Sequence, residues 1–161
     1  MDPLDLPDAD EFARLLARED MRRGRTGESL AVAVLDVDGL GVVNARLGAA
    51  AGTHLLRTCV EVLHQTVRGV DQLARTGPDE FSVLLHATDA EHASAWEERF
   101  EDMLDACGRN LPAGPVTCSI GIADSGEAPT LMEVAVRARR RMEVIQTVRK
   151  LRRARESGGS A

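Results

Sequence analysis

Arg75-Thr76-Gly77-Pro78-Asp79-Glu80-Phe81 is a short polar turn between two runs that read as strands, Gln72 to Thr76 before it and Phe81 to Ala87 after it. Gly77 and Pro78 bend the chain, and two carboxylates follow at once. The stretch predicts a β-hairpin with acid at its tip. Carboxylates in that place are set to meet a cation, a ligand or water. A second acidic pair, Asp36 and Asp38, closes another strand earlier in the chain, and two such tips side by side suit a metal.

The 161 residues are 43% apolar, which fits one domain with a proper core. Aromatic side chains are restricted to Phe12, Phe81, Trp96 and Phe100, so the core is packed from Leu, Val, Ala, Ile and Met. Stacking platforms for bases are scarce, which argues against nucleic-acid binding. Cys59, Cys107 and Cys118 have no CxxC spacing, so neither a disulfide framework nor a zinc site is indicated. No basic-plus-apolar leader opens the chain, and no apolar run approaches the ~20 residues of a membrane span. The expectation is a cytoplasmic protein without membrane contact.

The net charge of −6 is unevenly spread. Arg137 to Arg155 holds nine basic residues and one acidic, Glu143, while residues 1–136 hold eleven basic against twenty-four acidic, a balance of −13. An acidic body therefore carries a basic C-terminal helix. Its arginines either answer that body or present a docking surface for a protein partner, a second copy, an anionic ligand or nucleic acid.

In order, Asp8 or Asp10 caps a helix reaching about Arg23, marked by Phe12, Leu15, Leu16 and Glu19. Gly24 to Ser29 reads as a linker, and Leu30 to Val37 as a central strand. Two helical pieces, Val42 to Leu47 and Ala50 to Val67, are broken at Gly48. The hairpin follows, then a helix from Asp89 to about Ala106 and a strand from Val116 to Ala123. A last helix starts at Thr130, runs to about Arg155 and gives way to a flexible tail. Residues 1–29 are thus an N-terminal helix and linker, 30–136 the core, and 137–161 the basic helix and tail. The βααββαβ core makes a mainly antiparallel sheet with helices on it, an α+β fold.

Four segments in this order resemble the GGDEF family, the diguanylate cyclase domains that condense two GTP molecules into cyclic di-GMP. Asp2-Pro3-Leu4-Asp5-Leu6-Pro7 is similar to the family's DPLTGLPNR opening with one residue missing. LAVAVLDVDGLGVVN (30–44) resembles its DxDxFKxxN segment, 75–81 stands where RxGGDEF belongs, and VTCSIGIA (116–123) resembles VTxSIGVA. The likeness implies the nucleotidyl-cyclase-like, palm-like sheet. It also implies that Asp36 and Asp79, with the Val37 carbonyl, are the metal ligands. Asn44 stands at the family's nucleotide-binding Asn.

The departures fall on one substrate complex. Pro78 replaces the second Gly; it fixes φ near −65° and has no N–H to offer a phosphate, and with Asp79 it suits the centre of a type I turn. The family's guanine-reading acid falls on Thr53, which weakens base recognition by about 1 to 3 kcal/mol. Its phosphate-contacting Lys on the last helix becomes Glu143. The resemblance therefore implies vestigial roles for Asp79 and Glu80 in catalysis and for Asn44, Thr53, Gly77 and Pro78 in nucleotide binding. The inhibitory-type RxxD motif is matched by Arg68-Gly69-Val70-Asp71, with Arg99 at the position of its helper Arg. The expectation is a catalytically degenerate cyclic di-GMP effector, with Arg68, Asp71 and Arg99 at its site. The alternatives are a GGDEF-shaped interaction adaptor, a GTP-binding regulatory domain and an active cyclase. No cofactor is required, and Mg2+ enters only if GTP binds.

Overall fold

In the computed structural model, which describes residues 2–159, four strands form one sheet in the order β2-β3-β1-β4. They are β1 (Ala31–Val37), β2 (Gln72–Arg75), β3 (Glu80–Leu85) and β4 (Cys118–Asp124). Every neighbouring pair is antiparallel. The helices are α1 (Ala9–Thr26), α2 (Leu40–Leu47), α3 (Ala49–Thr66), α4 (Ala90–Gly108) and α5 (Leu131–Gly158). The expected α+β architecture, with its βααββαβ core and long C-terminal helix, is the one observed.

β1 sits inside the sheet because both of its faces are apolar. Ala31, Ala33, Leu35 and Val37 meet α3 and α4, through Leu55, Cys59, Leu63, Trp96, Phe100 and Leu104. Val32 and Val34 meet α1 and α5, through Phe12, Leu16, Leu131, Val134, Ala138 and Met142. A period of two in the strand thus feeds two separate helical layers. Each fully buried Leu, Val or Phe contributes about 1.5–3 kcal/mol.

The helix starts follow from their caps. Asp8 accepts the Glu11 amide at 2.9 Å while Glu11 returns a bond to the Asp8 amide at 2.8 Å. Asp89 accepts the His92 amide at 2.9 Å and Thr130 that of Glu133 at 3.2 Å. Each is worth about 1 kcal/mol. Gly48, at φ 91°, breaks α2 from α3 in backbone space that other residues avoid.

Several ends differ from expectation. α1 consumes the first part of the expected linker and stops only at Gly27, in the left-handed conformation. β3 ends at Leu85 rather than Ala87, because Ala87 takes φ 47° and turns the chain out of the sheet. α5 continues past Arg155 to Gly158. Ser160 and Ala161, the last part of the expected tail, lie outside the described residues.

α5 is seated by one close approach. A Cβ on Gly121 of β4 would stand 1.9 Å from the Ala138 carbonyl oxygen and 2.4 Å from the Met142 nitrogen. Its first turn is tied to α1, where Asp20 accepts the Leu131 amide at 3.0 and 3.1 Å and the Arg23 Nε at 2.8 Å. Among the described residues no helix is long and apolar enough to cross a membrane.

Candidate functional site

The end of β1 and the hairpin tip do come together. Asp36 pairs with Glu80 in the β1–β3 register, and the Val37 amide donates to the Asp79 carbonyl at 3.1 Å. The amides of Thr76 and Gly77 both donate to the Glu80 carbonyl, at 3.0 and 3.2 Å. No residue from Thr76 to Glu80 has a positive φ, so the tip uses none of the backbone freedom a glycine supplies. Arg75 Nη2 closes the loop from the side by donating to the Pro78 carbonyl at 2.5 Å.

Asp36 carries the unpartnered oxygen of this group. Its Oδ1 is buried and has no hydrogen-bond partner among the described residues. Burial, then the negative charges of Asp79, Glu80 and Asp38, push its carboxyl up to about 6, with Lys150 opposing. An orphaned carboxylate oxygen in a crowd of like charges is what a hard divalent cation relieves, so Asp36, Asp79 and the Val37 carbonyl fit Mg2+ as a donor set. Among the described residues no three His, Cys, Asp or Glu side chains are grouped to hold a metal ion.

The other two acids are already answered by α5. Glu80 receives a two-point contact from Arg139, at 3.0 Å from Nε and 2.9 Å from Nη2, and the Thr76 hydroxyl donates to it at 2.5 Å. Asp38, its side chain only 3% exposed, accepts from Ser119 and Thr117 at 2.7 Å each and from Arg149 Nη1 at 2.6 Å. Arg149 also donates to the Cys118 carbonyl at 2.7 Å. Arg139, Arg149 and Lys150 are functional neighbours that the reading of the sequence did not assign. Arg139, Met142, Gln146, Arg149 and Arg153 recur at spacings of three and four, so one helix face toward the acids was the available signal.

Asn44 lies against Gly52: a Cβ there would fall 1.8 Å from Asn44 Oδ1. Half-buried Thr53 is the next residue in the chain, and both sit where α2 meets α3.

Arg68, Asp71 and Arg99 are brought together at the other end of the sheet, where they line one cavity of about 240 Å³ with Thr88, His92 and Trp96. Both oxygens of Asp71 are engaged, one by its own loop and one by the turn after β3. Its Oδ2 accepts the Arg68 amide at 2.8 Å and its Oδ1 the His86 amide at 2.9 Å. The Arg68 guanidinium reaches the His86 carbonyl and the Thr88 hydroxyl. Arg99 is exposed on α4, with no carboxylate within ion-pair distance among the described residues. The Asp89 carboxylate, 2.6 Å from His92 Nδ1, holds that imidazole above its usual range.

Residues 2–150 match the family described as "Diguanylate cyclase, GGDEF domain". The chain belongs to the GGDEF family. Its sequence is 36% identical over 135 residues to diguanylate cyclase DgcP of Pseudomonas aeruginosa, covering 79% of this chain and 20% of that protein. The chain thus spans a fifth of that relative's length. The GGDEF domain of PA1120 (YfiN or TpbB) from Pseudomonas aeruginosa superposes with a TM-score of 0.82 at 28% identity, over 89% of this chain and 92% of the other. The GGDEF domain of DgcB from Caulobacter crescentus, solved with c-di-GMP, gives a TM-score of 0.78 over 88% and 86% of the two chains, and at 21% identity shows the fold alone.

Proposed function

We propose that this GGDEF domain is a cyclic di-GMP effector that does not turn over GTP. The observation that carries the reading is the convergence of Arg68 and Arg99 on one cavity, from opposite sides of the hairpin in sequence. Arg suits this ligand because its planar fork pairs with a phosphate or a guanine edge and stacks on the base. Asp71 supports the site from behind, by holding the loop that carries Arg68. Thr53, Pro78 and Glu143 support the absence of turnover at the other end of the sheet. Should GTP bind there, Asp36, Asp79 and the Val37 carbonyl would hold Mg2+, which neutralises phosphate charge.

Calorimetry with cyclic di-GMP tests the proposal. The expected result is saturable binding that Arg68→Ala and Arg99→Ala each weaken roughly tenfold or more, the scale of a lost charge-assisted contact. Absence of heat with the unmodified chain overturns it. Incubation with GTP and Mg2+ or Mn2+ is expected to yield no cyclic di-GMP.

A second reading, a protein-interaction adaptor, is favoured by α5. Val144, Val148 and Leu151 are exposed at spacings of four and three, a short apolar seam suited to another helix. Partner or self-association that survives Arg68→Ala and is lost with Val148→Glu is the outcome this reading requires.

A further inference from the structure

A cavity of about 710 Å³ lies on the far side of Arg68 from the cavity just described. It forms where the Leu4–Pro7 segment crosses the sheet edge, held there by the Arg75 amide donating to the Pro7 carbonyl at 2.8 Å. Its volume is in the range of small-molecule sites, about 300–1,000 Å³. The floor is apolar, made by Phe12, Leu15 and Leu73. The rim is cationic: Arg14 and Arg18 stand one turn apart on α1, with His64 facing them from α3.

The charge accounting favours an anion. Among the described residues neither Arg14 nor Arg18 has a carboxylate within ion-pair distance. Two carboxylates reach this cavity, and both are committed elsewhere. Glu11 closes the capping box of α1 at 2.8 Å from the Asp8 amide, and Asp71 accepts the amides of Arg68 and His86. One polar group of the lining lacks a partner: Gln72 Oε1 is buried and accepts no hydrogen bond among the described residues.

We propose that this cavity binds a small organic anion, with an apolar body on Phe12, Leu15 and Leu73 and its acidic head between Arg14 and Arg18. The site is independent of the cyclic di-GMP reading, since it uses neither Arg99 nor the α4 side of Arg68. The head group is a carboxylate or a phosphate, chemistries that two guanidinium groups serve alike.

The test uses 8-anilinonaphthalene-1-sulfonate as probe, followed by fluorescence on the whole chain. Arg14→Glu with Arg18→Glu is expected to weaken the probe roughly tenfold or more, while Arg99→Ala leaves its affinity unchanged. Competition by octanoate and by octyl phosphate ranks the two head groups; displacement by either supports the proposal, and displacement by neither overturns it. Because both arginines are exposed, the double variant keeps its fold, checked by its melting curve. Methyl spectra of the unmodified chain give a second readout: shifts at Leu15 and Leu73 support the site, and shifts confined to other methyls overturn it. An unchanged probe affinity in the double variant also overturns it. Failure of cyclic di-GMP to bind leaves these results standing.

Discussion

Arg149 Nη1 stands 2.6 Å from Asp38 Oδ2, joining α5 to the end of β1 across 111 positions of chain. The carboxylate is almost wholly removed from water, so its charge depends on this guanidinium and on the hydroxyls of Thr117 and Ser119. Removing one member of a buried pair leaves the other uncompensated. Arg149→Ala is expected to destabilise the fold by about 2 kcal/mol, below the ~3–5 kcal/mol of a fully buried pair because Arg149 is itself partly exposed. Asp38→Asn in the same background should recover part of the loss. Urea unfolding of the four chains of this cycle measures both.

Asp36 gives the molecule a pH dependence. Its folded carboxyl sits near 6 against an ordinary 3.8, so the folded state holds the proton more tightly than the unfolded chain does. The stability from this group is fully present below about 3.8 and is lost as pH rises through about 6. Asp36→Asn should therefore stabilise the protein at pH 7, by about 1–2 kcal/mol after allowance for solvent screening, and flatten the stability profile between pH 4 and pH 7. Melting temperatures across that range decide it; a steeper profile in the variant would refute the assignment.

Asp71→Ala should cost about 2–3 kcal/mol, since it strips acceptors from the amides of Arg68 and His86 at once. Arg68→Ala, at a half-exposed side chain, should cost no more than about 1 kcal/mol. Thermal melts separate the two. A loss of ligand in the Asp71 variant is consequently a folding effect until the melt shows otherwise, whereas loss at Arg68 or Arg99 reports on contact.

Two glycines predict opposite outcomes. Gly121→Ala drives a methyl into the α5 backbone, for which about 3 kcal/mol or more of destabilisation is expected. Gly41→Ala, inside α2 with nothing within 4 Å of the added Cβ, should stabilise by about 0.5–1 kcal/mol through helix propensity. Equal effects of the two changes would contradict the seating of α5 on β4.

The apolar run at β1, the hairpin and the capped helices were legible because each is written in local chemistry: strand period, turn residues and caps. The sites were legible only in part. Asp36, Asp79 and the Val37 backbone could be placed together from motif order, and Arg68, Asp71 and Arg99 likewise. What a linear reading could not supply is which charge answers which. A run of arginines on one helix looks the same whether it faces solvent or a carboxylate 111 residues away. Nor does Asp71, an acid in a polar turn, advertise that both of its oxygens are taken by backbone amides. Burial and long-range pairing arise from packing, and they decided the roles of Asp38, Glu80 and Asp71.

The pairing of α5 with the body also separates two effects of salt. The acidic residues 1–136 and the basic stretch behind them attract one another at long range in the unfolded chain, and that attraction fades within a Debye length of about 8 Å at physiological ionic strength. The direct contacts of Arg139, Arg141 and Arg149 with Glu80, Glu127 and Asp38 are partly buried and far less screened. Ionic strength consequently acts on how quickly α5 finds the sheet during folding, and hardly on whether it stays there.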